Sequence, residues 1–317
     1  MDLQGPGRPA LLERLDRVRI LGVGHAALDH QFHIAAFPPV PTKTPASDYR
    51  AGVGGMTANA CVAAARLGAR VRIAGPVGDD AAAAVFEAHF RREGVDPSGL
   101  VRVPGACSSV SAVIVDARGE RLIVNRRGDA LLKAPDFEAS QVDDADILLT
   151  DPRCAAWAEA ALTRARSIGR VAVLDGDTAP RADLQRLVGL ATWAVFSEPG
   201  LAAFDDAPPE AALDTALRQG AEVAVLTRGE HGLLWRRRGG PLQQMAAFAV
   251  APVVDTVAAG DTFHGALAVA LGVGAGDEAA LRWASAAAAL KCGRAGGVLG
   301  APTREELLHR LAAGGPP

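Results

Sequence analysis

The chain has 317 residues with nearly balanced charge, 33 Lys and Arg against 36 Asp and Glu, for a formal net charge of −3 at pH 7. Broad nucleic-acid binding needs clustered excess positive charge, so this balance argues against it. Hydrophobic residues make up 49% of the chain, which excludes a mostly disordered protein and is enough for a sizeable core. The length fits two domains or one large α/β domain.

The N-terminal segment and the cysteines favour a protein of the cytoplasm. Residues 1–17 are expected to form a polar leader, which lacks the apolar core of a secretory signal. The apolar stretch at 265–276 is too short to cross a bilayer. The four cysteines are far apart and lack the paired spacing of zinc ligands, which favours reduced thiols. We therefore expect no membrane or nucleic-acid partner.

The order of the predicted elements indicates an α/β fold. Residues 18–23 form a short apolar run typical of a buried strand. From residue 145 onward, apolar strand patterns alternate with helical patterns, and three further helices are predicted near 261–273, 277–291 and 303–312. This alternation is typical of βαβ units with right-handed crossovers. We expect a doubly wound, mostly parallel sheet with helices on both faces.

Two segments, at about 30–50 and 107–127, do not follow this alternation. The first has a strand-like pattern, and residues 108–125 read as a hairpin around a turn at 117–119. We expect these segments to form a small β-sheet. Ligands in open α/β sheets bind beyond the carboxyl ends of the strands, so a small sheet placed there would act as a lid. One domain spanning 18–317 would then hold the whole site.

The segment 253–271 is the most informative for chemistry. Asp255 and Thr256 are followed by small residues, and Asp261 lies at the start of a predicted helix. Free N–H groups at a helix N-terminus suit a phosphoryl group, and a carboxylate there can accept a proton from an attacking hydroxyl. The alternative is that Asp261 is simply a helix N-cap.

Weaker signals accompany that segment. Small residues after a strand, at Thr227, Gly229 and Gly232, suit a nucleotide phosphate loop, although a simple hairpin turn is the alternative. No P-loop sequence occurs. Asn59, behind a glycine cluster, could place its amide on a polyol, with a residue near a helix cap as the alternative. Asp29, taken to end the first strand, could hold sugar hydroxyls, with a solvated strand end as the alternative.

These segments, in this order, resemble the PfkB carbohydrate kinase family, also called ribokinase-like. The family's DTxGAGD signature is similar to residues 255–261, and its N-terminal signature is similar to Gly54, Gly55, Asn59 and the segment 66–68. The resemblance covers about residues 18–312. It implies an α/β fold with a β-sheet lid and ATP-dependent phosphorylation of a sugar hydroxyl. It also implies that Mg²⁺ bridges the phosphates. A monovalent cation is a further cofactor that the resemblance allows, and a homodimer formed through the lid is the assembly that it allows.

The resemblance also implies roles for individual residues. Asp261 would be the general base, and the backbone of 258–261 would form the anion hole. The residues carried over from the family are, for the anion hole, Ala258, Ala259 and Gly260; for the sugar, Asp29, Gly54, Gly55 and Asn59; and for ATP, Thr227, Gly229, Gly232 and Glu198. No metal ligands are assigned.

Two positions depart from the family pattern. Ala258 stands where the family usually has glycine, so a methyl group could narrow the anion hole or restrict its backbone dihedrals. The family's NxxE motif is present only as residues 197–200, with Glu198 displaced by one position. How Mg²⁺ would be organised therefore stays open.

Within the family, several stretches are similar to the group of sulfofructose kinases of sulfoglycolysis. That group surrounds a sulfonate with Lys, Asn and Arg, which fall here on Lys43, Asn125 and Arg153. Two cations and an amide match the charge and acceptors of a tetrahedral monoanion. The sequence thus favours a kinase of 6-deoxy-6-sulfofructose at its 1-hydroxyl. The alternatives are another PfkB kinase, acting on fructose, a phosphorylated ketose or a nucleoside, and a non-catalytic sugar-binding regulator.

Overall fold

The computed structural model describes residues 13–118 and 120–313, without the side chain at position 121. Residues 1–12 of the predicted leader and residue 119 of the predicted turn lie outside this part of the chain. The described residues form a large sheet, a small sheet and helices packed on both faces of the large sheet.

Seven parallel strands form most of the large sheet. They are β1 (Arg19–Val23), β4 (Arg70–Gly78), β5 (Val95–Val103), β8 (Ile147–Thr150), β9 (Val171–Gly176), β10 (Trp193–Ser197) and β11 (Val223–Thr227). The strands β12 (Leu233–Arg237) and β13 (Gln243–Met245) add an antiparallel edge that the sequence did not predict. The order is β13-β12-β11-β10-β9-β8-β1-β4-β5. β1 lies between β4, the strand of this sheet that follows it in the chain, and β8, which begins the second half of the sheet. The strand order therefore reverses direction at β1, and open α/β sheets bind ligands in the crevice at the carboxyl ends of the strands at such a point.

The small sheet contains four strands in the order β3-β2-β6-β7. They are β2 (Ala27–His33), β3 (Asp48–Gly54), β6 (Ser109–Val115) and β7 (Arg121–Arg126). The strands β2 and β6 are parallel, whereas the other two pairs are antiparallel. The predicted small sheet is confirmed, but its strands do not keep to the predicted segment 30–50, because β2 begins at Ala27 and most of β3 lies beyond residue 50.

The helices cover two separate apolar cores, one on each face of the large sheet. They are α1 (Met56–Arg66), α2 (Ala81–Arg92), α3 (Ala155–Ser167), α4 (Arg181–Leu190), α5 (Glu198–Phe204), α6 (Pro209–Gln219), α7 (Ala259–Gly272), α8 (Asp277–Cys292) and α9 (Arg304–Ala312). The three C-terminal helices match the predicted ranges within two residues. None of the helices in the described part of the chain is long and apolar enough to cross a membrane.

Close packing of α1 against α7 brings two helix N-termini together. A Cβ atom at Gly265 of α7 would lie 2.3 Å from the carbonyl oxygen of Ala60 in α1. Only glycine permits this approach, since real Cβ atoms do not come so near a backbone oxygen. The contact fixes how the first turn of α1 faces the first turn of α7.

Candidate active site

The first turn of α7 begins at a residue in the left-handed region. Ala258 has φ 60° and ψ 19°, and it is the one non-glycine residue with positive φ among those the structure describes. This conformation costs an L-residue about 1–2 kcal/mol. The backbone N–H and the hydroxyl of Thr262 both donate to the Ala258 carbonyl, at 2.9 and 2.7 Å. Alanine therefore adopts the turn, and its methyl group does not prevent the helix from starting there.

The space over this turn is open. A Cβ atom built at Gly260 would meet no heavy atom within 4 Å. The early N–H groups of an α-helix lack intrahelical partners, and the helix dipole adds partial positive charge. The turn formed by Ala258, Ala259 and Gly260 therefore has room for an anion, and the anion hole stays a prediction.

Asp261 lies in this first turn and contacts α1. Its Oδ2 accepts a hydrogen bond of 2.7 Å from the side-chain amide of Asn59. The N-cap of α7 is Ala258, so the alternative that Asp261 is simply an N-cap is wrong. Asn59 is held by this carboxylate, which favours a role in orienting Asp261 over direct contact with a polyol.

Burial, reinforced by the neighbouring carboxyl of Asp175, raises the pKa of Asp261 to about 7, although Asn59 and His264 act in the opposite direction. A carboxyl group with a pKa near the working pH can both accept and release a proton efficiently. Perturbed carboxyl groups of this kind cluster at functional sites. The electrostatics therefore suit Asp261 to general base chemistry.

Two residues that the sequence analysis did not single out complete this surrounding. The Nδ1 atom of His264 lies 2.8 Å from the Gly260 carbonyl and 3.4 Å from Oδ2 of Asp175. Both side chains are buried; burial lowers the pKa of His264, and burial with the nearby Asp177 raises the pKa of Asp175 well above its usual value. In the sequence, the one signal for His264 was its position three residues after Asp261, which places both side chains on the same side of a helix.

A buried carboxylate joins the start of α1 to the end of β8. Oδ2 of Asp151 accepts hydrogen bonds from the backbone N–H of Thr57 at 3.1 Å and from its hydroxyl at 2.6 Å. A Cβ atom at Gly24 would lie 2.5 Å from the same Oδ2 atom. Carboxylates are stabilised at helix N-termini. The junction therefore fixes the turn of α1 that carries Asn59.

Asp29 lies in the small sheet, and its predicted position is wrong. The first strand ends at Val23, and Asp29 falls within β2, opposite Gly52 of β3 and Ser111 of β6. The chain turns at residues 24–26, between the two sheets, so the apolar run does not continue into a single strand. Burial raises the pKa of Asp29, whereas a hydrogen bond from Ser111 opposes that change.

The predicted sugar-site glycines make room for Asp29 and for the turn before α1. A Cβ atom at Gly54 would lie 2.0 Å from Oδ2 of Asp29. Gly55, with φ 110°, passes the carbonyl of His25, where a Cβ atom would lie at 2.4 Å. The structure thus brings Asp29, Gly54 and Gly55 together beside α1.

The three residues predicted to bind an anion do not all meet. Asn125, in β7, donates to the hydroxyls of Ser109 at 3.2 Å and Ser111 at 3.0 Å. Lys43 belongs to the segment 30–50 that was predicted to form part of the small sheet, but it lies exposed in the loop between β2 and β3. It makes no hydrogen bond or ion pair with any residue described here.

Arg153 follows β8 and is already occupied by protein acceptors. It donates to the Thr178 carbonyl at 2.8 Å and lies 3.3 Å from the Asp177 carboxylate. Its own carbonyl accepts from Arg127, one residue beyond the end of β7, at 2.8 Å. Arg153 and the end of the strand that carries Asn125 are therefore neighbours, whereas Lys43 lies outside their hydrogen-bond network.

The predicted ATP residues follow adjacent strands. Ser197 of β10 pairs with Thr227 of β11, and Glu198 opens α5 directly after β10. Gly229, with φ 53°, would carry a Cβ atom into open space. A Cβ atom at Gly232 would lie 2.0 Å from the carbonyl of Met245 in β13. The segment connects β11 to the antiparallel β12, so the alternative of a hairpin turn describes its geometry. The close approach of β13 explains why a glycine stands at position 232.

The described residues contain no group of three or more His, Cys, Asp or Glu side chains arranged to hold a metal ion. Mg²⁺ in phosphoryl-transfer sites commonly takes one or two carboxylates and obtains its other ligands from phosphates and water. The exposed Glu198 carboxylate fits that arrangement.

A comparison with models of known protein families finds a match over most of the chain. The pfkB family carbohydrate kinase model matches residues 19–304, which include both sheets and the helix α7.

Individual relatives agree with this match over nearly the whole chain. Ribokinase from Bacillus subtilis (strain 168) is 32% identical over 262 residues, covering 82% of this chain and 87% of its own. A crystal structure provisionally described as a ribokinase from Agrobacterium tumefaciens is 35% identical, with a TM-score of 0.88 and coverage of 94% and 99%. Arabidopsis thaliana ribokinase complexed with ribose and ATP is 22% identical, with a TM-score of 0.82 and coverage of 93% and 99%, and shows the same fold.

Proposed function

Because the chain belongs to the PfkB family of carbohydrate kinases and is an ATP-dependent carbohydrate kinase, we propose that Asp261 is the general base in its reaction. One observation carries this proposal: a carboxyl with a pKa of about 7 lies in the first turn of α7, beside the open space at Gly260. The alternative of a non-catalytic regulator is set aside, since the family assignment makes the chain an enzyme.

In the proposed reaction, a sugar hydroxyl attacks the γ-phosphorus of ATP. The new bond joins the sugar oxygen to phosphorus, the bond from phosphorus to the bridging oxygen breaks, and ADP leaves. Asp261 takes the hydroxyl proton while Asn59 holds its carboxylate in place. The N–H groups of Gly260 and Asp261, which donate to none of the described residues, stabilise the charge that develops on the phosphoryl oxygens.

The other predicted residues would hold the two substrates. Asp29 would accept hydrogen bonds from sugar hydroxyls, at a position that Gly54 keeps open. Thr227 and Gly229 would line the nucleotide side. Mg²⁺ held by Glu198 and the phosphates would supply charge neutralisation. Residues 18–317 would act as one kinase domain in the cytoplasm, with the small sheet as its lid.

For the acceptor sugar, we propose 6-deoxy-6-sulfofructose, phosphorylated at its 1-hydroxyl. The support is chemical: Asn125 lies in a strand whose continuation, through Arg127, contacts Arg153, so an amide and two guanidinium groups lie near one edge of the small sheet. Guanidinium groups suit the oxygens of a sulfonate. Lys43 could join them only if its loop approached this edge.

A neutral pentose or fructose is the second candidate. Arg153 already pairs with Asp177, and Lys43 lies apart. A neutral sugar could therefore bind without leaving the Arg153 guanidinium unpaired. The relatives named above as ribokinases agree with that acceptor class. A phosphorylated ketose or a nucleoside remains a further acceptor to compare.

Release of ADP, measured over a panel of acceptors, separates these candidates. The panel contains 6-deoxy-6-sulfofructose, fructose, fructose 6-phosphate, ribose and nucleosides, each with ATP and Mg²⁺. If sulfofructose is the acceptor, Arg153→Ala lowers its kcat/KM by about 10- to 100-fold, since a hydrogen bond to a charged group contributes about 1.5–3 kcal/mol. Arg218→Ala, an exposed change on α6, serves as the control. Equal or faster turnover of ribose or fructose would reject the sulfonate assignment and leave the neutral sugar.

We also propose that two copies pair through the small sheet. Alternation along the strands places four exposed apolar side chains on one face, namely Phe32, Tyr49, Leu122 and Val124. Phe32 and Tyr49 pack with ring centroids 5.1 Å apart. Contiguous exposed apolar patches mark interaction sites. Because the opposite face carries Asp29 and Asn125, pairing through the apolar face would leave the sugar side free.

A further inference from the structure

The ammonium group of Lys291 is completely buried beside the loop that precedes α7. Lys291 lies in the last turn of α8 and has 0% of its surface exposed. Its Nζ atom lies 3.0 Å from Oδ2 of Asp255 and donates to the backbone carbonyl of Asp255 at 2.6 Å. Lysine is almost never fully buried unless it is paired, because removing its charge from water is costly. We therefore looked for a role of the buried Lys291–Asp255 pair in the neighbouring turn of α7.

Asp255 connects this cation to the backbone on two sides. Its Oδ1 accepts from the N–H of Val257 at 2.8 Å, and its Oδ2 accepts from the N–H of Gly297 at 2.9 Å. The carbonyl of Cys292 accepts from the N–H groups of Val254 and Asp255, at 2.8 and 3.2 Å. The segment 254–257 is therefore tied to the end of α8 and to the loop at 296–297.

The same segment sets the geometry of the proposed anion hole. Val257, held by Asp255, directly precedes Ala258, whose positive φ turns the chain into α7. The N–H of Ala259 donates to the Thr256 carbonyl at 3.3 Å. A change in the position of Asp255 would therefore reorient the N–H groups of this turn and, one residue later, Asp261.

We propose that Lys291 is a positioning residue whose ammonium acts as a tethered monovalent cation, organising the phosphate-binding turn in place of a dissociable ion such as K⁺. The inference rests on the proposed function of the α7 turn. An ammonium group and K⁺ both carry one positive charge and are stabilised by surrounding oxygen atoms. Because Nζ already lies at the carboxylate and carbonyl oxygens of Asp255, these oxygens are not available to a free ion.

The first test compares rates at constant ionic strength in K⁺, NH₄⁺ and tetramethylammonium chloride. The wild-type enzyme should turn over equally fast in all three salts. Lys291→Ala shortens the side chain, leaves Asp255 in place and makes room for an ion. In tetramethylammonium, its kcat should fall by about 100-fold while the sugar KM stays near wild type, since orienting groups for the transition state are lost. K⁺ or NH₄⁺ should restore much of that kcat. The control Lys133→Ala, at an exposed position, should behave as wild type.

Three results would overturn the proposal: activation of the wild-type enzyme by K⁺, a wild-type kcat in Lys291→Ala, or a loss of kcat that neither K⁺ nor NH₄⁺ reverses. If Lys291→Ala does not fold, the double variant Asp255→Asn with Lys291→Met removes both charges together. We expect it to fold with a lowered kcat, and a wild-type kcat in it would also reject the proposal.

A second readout separates this inference from the proposed function. If the wild-type enzyme turned over no sugar, the proposed function would fail, yet thermal unfolding would still report on the cation. K⁺ should raise the Tm of Lys291→Ala relative to tetramethylammonium and leave the wild-type Tm unchanged. Equal Tm values for the variant in the two salts would reject the tethered cation.

Discussion

A few neighbouring side chains set the pKa of Asp261. Burial beside the carboxyl of Asp175 favours its protonated form, whereas the amide of Asn59 favours its ionised form. The resulting pKa of about 7 leaves both forms populated at neutral pH. Neither neighbour lies near Asp261 in the sequence, so the property arises from folding.

Asp261→Asn should remove the proton acceptor while keeping the size of the side chain. We expect kcat to fall by about 10²- to 10⁴-fold, the usual contribution of general base catalysis. Sugar and ATP binding should change little, because the open turn of α7 is retained. Steady-state kinetics and calorimetric binding of both substrates measure these effects. Turnover close to that of the wild type would show that another group accepts the proton.

Asn59→Ala should change the pH dependence of the reaction. The base is active when ionised, so kcat should rise with pH through the pKa of Asp261, near 7. Asn59 lowers that pKa, so its removal should raise the pKa further and move the rising limb of the profile to higher pH. At sufficiently high pH the variant should recover part of its rate. A kcat profile between pH 5 and 9 measures this, and a limb at the wild-type position would contradict the role of Asn59.

At the scale of the strand, the pairing of β2 with β3 decides whether Asp29 has room. Oδ2 of Asp29 occupies space that any side chain at Gly54 would need. Gly52, opposite Asp29 in the same pair of strands, has no heavy atom within 4 Å of a built Cβ atom. The two glycines therefore have different physical requirements although both lie in β3.

Gly54→Ala should displace the Asp29 carboxylate and raise the KM for the sugar much more than the KM for ATP. Gly276→Ala provides the control, since its methyl group points into free space at the start of α8, outside the small sheet, and should leave both constants near wild type. Kinetics with each substrate varied in turn give the two constants. An unchanged KM for the sugar in Gly54→Ala would mean that room for the Asp29 carboxylate does not control sugar binding.

At the scale of the whole molecule, the apolar face of the small sheet would form the interface of the proposed dimer. Val124 is 60% exposed on this face, while Val85 on α2 is 46% exposed elsewhere. Val124→Glu would place a charge inside the proposed interface, whereas Val85→Glu would add the same charge outside it. Light scattering coupled to gel filtration should find dimers for the wild type and for Val85→Glu, and monomers for Val124→Glu. A monomeric wild type, or a dimeric Val124→Glu, would exclude pairing through this face.

Local periodicity was enough to predict the architecture. The alternation of strands and helices after residue 145, the three last helices and the two segments of the small sheet all follow from side-chain patterns over 4 to 16 residues. The edge formed by β12 and β13 was not predicted. The small residues after β11 left a phosphate loop and a hairpin turn open, and only the pairing with β11 shows that the chain returns as an antiparallel strand.

The sequence by itself also determined which carboxylate stands at the start of α7, since small residues followed by Asp261 are a local pattern. Only the tertiary structure decided what surrounds it. Asn59 of α1 and Asp175 of β9 come from elements far from α7 in the chain, and their approach to Asp261 depends on which ends meet at the crevice. Lys291 likewise reaches Asp255 from α8. It also decided that Asp29 lies within the small sheet and that Lys43 stands apart, because a chain reversal at 24–26 and an exposed loop carry no side-chain periodicity. The burial of a side chain and its distance from charged residues remote in the sequence depend on how the elements pack. Local side-chain periodicity does not specify that packing.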